Sequence, residues 1–330
     1  MEKIINLGIP HVGENIFENI GTDELCQYFL VSQTWKVLAE NVLLKRWKIK
    51  FFKACRTGKT KIVELLLKHY ESEDIDLNAR NEYGQTAFIS ACLNGHKDVV
   101  KLLLDNSDID LNVRNNHGFN AFALACYSGH KDVVELLLKN SDIEVNARSN
   151  QETEEEECTA LMCACARGHE DVVKILVGNS NRNIDLNAKT TLGRTALMIA
   201  CLKGHKNVIK LLMDISDIDL NARTNDGYTA FAIACQLGHK GVVELFLKNS
   251  EIDVNAKSND GWTAFMVACW KGRKKVVKLL LKYPEINFST TGLDLSKEMN
   301  DIVNNSKKIS RRSARLAEKN QSSSTSPQSN

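Results

Sequence analysis

One motif recurs along most of this 330-residue chain and limits it to a narrow kind of fold. QTAFISACLNGH at Gln85–His96 returns as FNAFALACYSGH at Phe119–His130, CTALMCACARGH at Cys158–His169 and RTALMIACLKGH at Arg194–His205. YTAFAIACQLGH at Tyr228–His239 and WTAFMVACWKGR at Trp262–Arg273 complete six copies. Their first alanines, Ala87, Ala121, Ala160, Ala196, Ala230 and Ala264, are 34, 39, 36, 34 and 34 residues apart. The segment Lys53–Lys59 lies 37 residues ahead of its counterpart ending in Gly95 and His96, and reads as a degenerate first unit. A period of this length marks a solenoid, in which each unit buries its apolar face only against its neighbours.

Each unit carries a second signature. VVKLLLDNSDIDLNVR at 99–114 is echoed at 133–148 and 242–257. The Val-Val-x-Leu-Leu-Leu stretch predicts an amphipathic helix of about ten residues, and Ala-Phe-x-x-Ala-Cys a shorter one. The Gly-His between them permits a tight helix–helix connection. Asn-Glu-Tyr-Gly and Asn-Asp-Gly, ahead of the Thr-Ala pairs, mark a projecting turn.

These residues resemble the ankyrin repeat, whose pattern is Thr-Pro-Leu-His-x-Ala-Ala-x-x-Gly-His followed by a Val-Val-x-Leu-Leu helix. Alanine replaces the family proline, giving up a pre-organised helix start. Ile89, Met162 and Met198 occupy the slot of the family histidine, which removes a side chain able to hydrogen-bond the neighbouring turn. The resemblance covers 49–290 and implies an all-α solenoid of about seven units. In ankyrin folds the turn tips and short helices line the concave face, which commonly binds protein. On that expectation, Tyr83, Leu93, His117, Tyr127, Leu192, Leu202 and Trp270 are the candidate substrate-binding residues. Tyr127 and Trp270 lead, because large aromatics contribute disproportionately at interfaces; the competing reading is packing against the adjacent repeat. The tips also vary at Arg80–Glu82, Arg114–Asn116, Lys189, Thr191, Arg223, Asp226, Lys257 and Asp260.

Seven of ten cysteines fall in one repeat slot: Cys55, Cys92, Cys126, Cys165, Cys201, Cys235 and Cys269. Each follows an alanine on the short helix, where a thiol serves as a small hydrophobe. Neighbouring slots should lie roughly 10 Å apart, too far for shared ligation at Zn–S distances near 2.3 Å. Cys158, Cys163 and Cys165 cluster locally, but lack a second ligand pair. His96, His130, His169, His205 and His239 share the Gly-His slot, which suggests capping and bridging of loops. Catalysis needs a unique, mutually oriented set of groups, and no repeat supplies one. No nucleophile elbow, zinc-protease helix or phosphate loop occurs. The reading is a non-enzyme with no cofactor and no metal.

Composition agrees. Lys plus Arg at 43 against Asp plus Glu at 41 leave a net charge of +2, which argues against a nucleic-acid binder. No apolar run reaches the ~18 residues of a membrane span, and Glu2, Asn6, Pro10 and His11 do not begin a signal peptide. The expectation is an intracellular protein, in cytoplasm or nucleus, with free thiols. Residues 150–157 hold five glutamates within six positions and account for the 39-residue spacing. They read as a solvated loop or as a contact for a basic partner.

Before the repeats the period vanishes. Ile16, Phe17 and Ile20, then Leu25 and Phe29, then Val31, Trp35 and Leu38 follow helical spacing. Ile9-Pro10, Ile16-Phe17-Glu18-Asn19-Ile20, Asp23-Glu24-Leu25 and Leu30-Val31-Ser32-Gln33-Thr34-Trp35-Lys36-Val37-Leu38-Ala39 resemble an F-box, a three-helix module, over 8–48. Between Pro10 and Ile16 the match is one residue short, and Lys45 stands in the final tryptophan slot. The alternative is a helical cap on the solenoid. F-box proteins recruit the Skp-type adaptor of a cullin–RING ubiquitin ligase while a second domain selects substrate. The resemblance therefore implies an adaptor-binding surface of Pro10, Ile16, Phe17, Ile20, Leu25, Val31, Trp35 and Leu38, with the repeats binding an unknown protein substrate. A pure ankyrin scaffold or sequestering protein, without ligase recruitment, is the alternative. The arrangement, with repeats rich in Asp-Ile-Asp-Leu-Asn-Ala-Arg, resembles proteins of large DNA viruses of amoebae that are presumed to redirect host ubiquitination.

After Phe288 the pattern lapses. Residues 291–303 suggest a capping helix, with Leu293, Leu295, Met299 and Ile302 on its apolar face. Residues 304–330 read as a disordered, Ser-rich tail with six basic residues against Glu318. Nuclear import, contact with an acidic partner and plain solubilisation are all compatible with it.

Overall fold

A computed structural model describes residues 47–68, 76–149, 157–290 and 296–305. The adaptor-binding residues Pro10, Ile16, Phe17, Ile20, Leu25, Val31, Trp35 and Leu38 lie outside the described residues, as do insert residues 150–156 and the tail from 306. The chain divides into two compact units, Met1–Thr153 and Glu154–Asn330, the division falling inside the acidic insert.

Among the described residues the first unit holds three helix pairs: α1 (47–56) with α2 (Thr60–Lys68), α3 (Ala87–Leu93) with α4 (Lys97–Leu104), and α5 (Ala121–Ser128) with α6 (Lys131–Leu138). In it α3 packs on α5, while α2 packs on α4 and α4 on α6. The second unit pairs α7 (Ala160–Arg167) with α8 (Glu170–Gly178), α9 (Ala196–Lys203) with α10 (Lys206–Met213), α11 (Ala230–Leu237) with α12 (Lys240–Phe246), and α13 (Ala264–Trp270) with α14 (Lys274–Leu280). Short helices again stack on short helices, α7 on α9 on α11 on α13, and the second helices on one another. A final helix, α15 (297–305), buries Met299 and Val303, and its Glu298 meets Lys274 of α14 at 2.6 Å. No strand occurs among the described residues, whose one isolated bridge joins Lys257 and Thr263.

Local chemistry sets each helix boundary. The short helices begin at a capping oxygen: Thr86 accepts the Ile89 amide at 3.2 Å, and Asn120 accepts that of Ala123 at 2.9 Å. Such caps contribute about 1 kcal/mol each, so the missing proline is not needed to start the helix. At Thr159 and Thr195 the methionine in the family histidine slot reaches back, its sulfur accepting the cap residue's own amide at 3.4 and 3.5 Å. Glycines in the left-handed region, such as Gly168 at φ 75°, end the short helices.

Burial explains the two helix types. In α3 every residue from Ala87 to Cys92 is buried, because the helix is packed on several sides. In α4 only Val99, Val100 and Leu103 are buried, leaving Asp98 and Lys101 to solvent. The amphipathic helices run to 7–9 residues rather than about ten.

Candidate protein-interaction surface

Three polar rows tie consecutive repeats together, and they decide which side chains remain for a partner. The first comes from the asparagine of Asp-Ile-Asp-Leu-Asn. Asn78 Nδ2 donates to the Asp108 carbonyl at 2.7 Å, and its Oδ1 accepts the Asp110 amide at 2.8 Å. Asn112 repeats this with Asp142 and Glu144. In the second unit Asn187, Asn221 and Asn255 make the same paired bonds to the next repeat. Sequence reasoning missed this role. The signal was available, since a polar residue recurring unchanged at one slot outside the apolar core needs a reason other than packing.

The second row lies at the turn tips. Asn116 donates its amide to the Tyr83 carbonyl at 3.1 Å and its Nδ2 to the Glu82 carbonyl at 2.9 Å. Asn225 does the same to Leu192 and Thr191. Alongside, Arg80 donates to the Arg114 carbonyl, Arg114 to the Arg148 carbonyl at 2.8 Å, Lys189 to the Arg223 carbonyl at 3.2 Å, and Arg223 to the Lys257 carbonyl. The tip cations Arg80, Arg114, Lys189 and Arg223 thus bridge consecutive repeats.

The third row is the Gly-His slot. His96 Nε2 donates to the Arg56 carbonyl at 2.8 Å, His130 Nε2 to Leu93 at 2.9 Å, and His205 Nε2 to Ala166 at 3.0 Å. Arg273, standing where the other repeats have histidine, keeps the bond through Nε to the Gln236 carbonyl at 2.7 Å. The bridging expectation holds; the capping one does not. These histidines sit at the cap position of the second helices, but His96, His130 and His205 make no side-chain cap bond, because the ring turns to the preceding repeat.

The sequence-derived candidates sort into two slots. Tyr83, His117 and Leu192 occupy equivalent tip positions, all exposed. Leu93, Tyr127, Leu202 and Trp270 lie near the ends of short helices; Leu93 and Leu202 are half-buried, while Tyr127 and Trp270 are 40% and 55% exposed. Tyr83, Leu93, His117 and Tyr127 belong to the first unit; Leu192, Leu202 and Trp270 belong to the second. Trp270 sets its ring edge-to-face with Trp262 of its own repeat, centroids 5.6 Å apart, and Lys271 Nζ lies 4.0 Å from its centroid. Those contacts hold the indole in one orientation without burying it.

The slot cysteines are buried. Burial pushes the Cys55 thiol up to about 12, and raises Cys92, Cys165, Cys201 and Cys235 as well. Neutral thiols of this kind are poor nucleophiles and poor ligands. Among the described residues no three of His, Cys, Asp and Glu are arranged to hold a metal ion, and no helix is long and apolar enough to cross a membrane.

A family model described as ankyrin repeats (3 copies) matches residues 18–115, 51–149, 146–224 and 215–291. The chain belongs to the ankyrin-repeat family. Ankyrin repeats mediate protein–protein interaction, and the ladders above are how this chain stacks them. Among solved structures it is similar to the crystal structure of the ankyrin repeat domain of Bcl-3, described as a unique member of the IkappaB protein family. The TM-score is 0.60 with 23% identity, over 70% of this chain and 97% of that one, a likeness of fold. No curated protein matches the chain.

Proposed function

We propose that this ankyrin protein is a non-catalytic scaffold that binds a target protein through its exposed apolar side chains, and that its segment 8–48 recruits a Skp-type adaptor of a cullin–RING ubiquitin ligase. The observation that carries the first half is the contrast within single slots. At the ends of the short helices the backbone carbonyls of Leu93, Ala166 and Gln236 are occupied by the next repeat, whereas Tyr127 and Trp270 leave large rings in solvent. An exposed aromatic held in place costs little further ordering when a partner covers it.

The adaptor half rests on the F-box resemblance around Ile16-Phe17 and Val31-Ser32-Gln33-Thr34-Trp35. Ubiquitin chemistry would then belong to other subunits, and the repeats would choose the substrate, in a host cell if the viral resemblance holds. One observation favours the plainer reading of a scaffold without ligase recruitment: the family match begins at residue 18, inside the F-box-like segment.

Affinity capture with quantitative mass spectrometry tests the surface. Tyr127→Ser plus Trp270→Ser should leave the urea midpoint close to wild type and deplete specifically captured proteins about tenfold, the scale of losing hot-spot side chains. Equal capture by both proteins would assign these rings to packing alone.

A further inference from the structure

The first unit holds a groove of about 390 Å³ between α1 and the loop residues 79–81. Ile49, Phe52 and Ala79 supply its apolar lining, and Ile49 is 60% exposed. Lys48, Lys53, Arg56 and Arg80 also line it, and among the described residues no acidic one does. Arg80 donates to the carbonyls of Gly84 and Arg114, which are neutral acceptors, so its charge is not offset there. The other three make no ion pair among the described residues.

We propose that this groove binds an acidic protein segment carrying one large apolar side chain. The inference rests on the scaffold reading and names the chemistry of one partner. A volume near the lower end of the range for ligand sites, about 300–1,000 Å³, accepts one or two side chains rather than a folded domain. The apolar side chain rests against Ile49 and Phe52, and carboxylates before and after it face Lys48, Lys53 and Arg56. A phosphodiester backbone would satisfy the cations but leave Ile49 without an apolar partner. Charge complementarity of this kind raises association rate and specificity and weakens with salt.

The full chain is titrated into a fluorescein-labelled peptide, Asp-Glu-Asp-Phe-Leu-Asp-Glu-Asp, and followed by anisotropy at low salt. Saturable binding is expected, weakened about tenfold by Lys53→Glu plus Arg56→Glu and severalfold by Ile49→Ser. Lys275→Glu plus Lys278→Glu, in the second unit, should leave it unchanged. Replacing Phe-Leu in the peptide by Ser-Ser should weaken it as Ile49→Ser does. Lys48→Glu plus Lys53→Glu serves as a second groove variant, and circular dichroism confirms that each variant folds. Absence of saturable binding, or equal binding by the groove variants, overturns the proposal. So does tighter binding of an oligothymidylate that the same variants abolish. Self-association of the wild type that is lost in the groove variants would give the groove to the glutamate run of a second copy, and also overturns it. None of these failures touches the scaffold reading, which is judged by capture through Tyr127 and Trp270.

Discussion

Asn112 and Glu144, 32 residues apart in sequence, are joined across a repeat boundary: the Glu144 amide donates to Asn112 Oδ1 at 2.9 Å. The same side chain donates from Nδ2 to the Asp142 carbonyl at 2.7 Å. One asparagine thus satisfies a backbone donor and a backbone acceptor of the next repeat. Asn112→Ala should destabilise the first unit by about 1–3 kcal/mol, the range for two such bonds. Asn112→Asp keeps the shape but sets a carboxylate oxygen against the Asp142 carbonyl, so it should cost at least as much at neutral pH and recover in acid. Urea unfolding of both variants at two pH values checks this; an unchanged midpoint for Asn112→Ala would show the ladder to be a consequence of stacking rather than a cause.

Gly95 has φ +75°, and a Cβ there would lie 2.5 Å from His130 Nδ1. Backbone strain alone costs about 1–2 kcal/mol for a residue with a side chain, and the clash adds to it. Gly95→Ala should therefore destabilise by about 2 kcal/mol or more. Adding His130→Ala should relieve the clash but not the strain, giving a coupling of about 1 kcal/mol in a double-mutant cycle. Strict additivity would mean that the ring already moves aside without loss.

Buried thiols make stability fall in alkali. The folded chain holds Cys55 protonated up to about 12, above the ordinary 9.0, and raises Cys92 and Cys201 too. Once the pH passes 9.0, the unfolded chain binds fewer protons than the folded one. The stabilisation is complete below that pH and declines as pH climbs toward the folded-state value, by about 1.4 kcal/mol per pH unit for each thiol. Urea midpoints across this window should fall less steeply for Cys92→Ala than for wild type. Parallel slopes would show that Cys92 ionises as readily in the folded chain as in the unfolded one.

Much of the fold was legible because a repeat is read many times over. Six copies of Ala-Cys and five of Gly-His determine which faces are buried, and the periods place the helix pairs. The ladders were harder to read. Asn78, Asn112 and Asn221 bond partners 30–32 residues away, and that pairing depends on repeat stacking rather than on local pattern. The same distance dependence hid the role of the tip cations: Arg80 and Arg223 donate to carbonyls 34 residues on, in the next repeat. Tyr83, Tyr127 and Trp270 could be chosen from sequence by size and slot, but not their exposure, which depends on whether the neighbouring turn covers the ring. The groove beside Ile49 escaped sequence reading altogether, because its lining comes from two stretches some thirty residues apart.

The most direct test of the proposed function is co-purification of the full chain with a Skp-type adaptor, beside a Phe17→Ala, Trp35→Ala double variant. Circular dichroism first establishes that both proteins fold. The account predicts a stoichiometric complex with the wild type that is lost in the folded variant. Folded wild-type protein that forms no complex would contradict it, leaving an ankyrin scaffold that binds its target without recruiting a ligase.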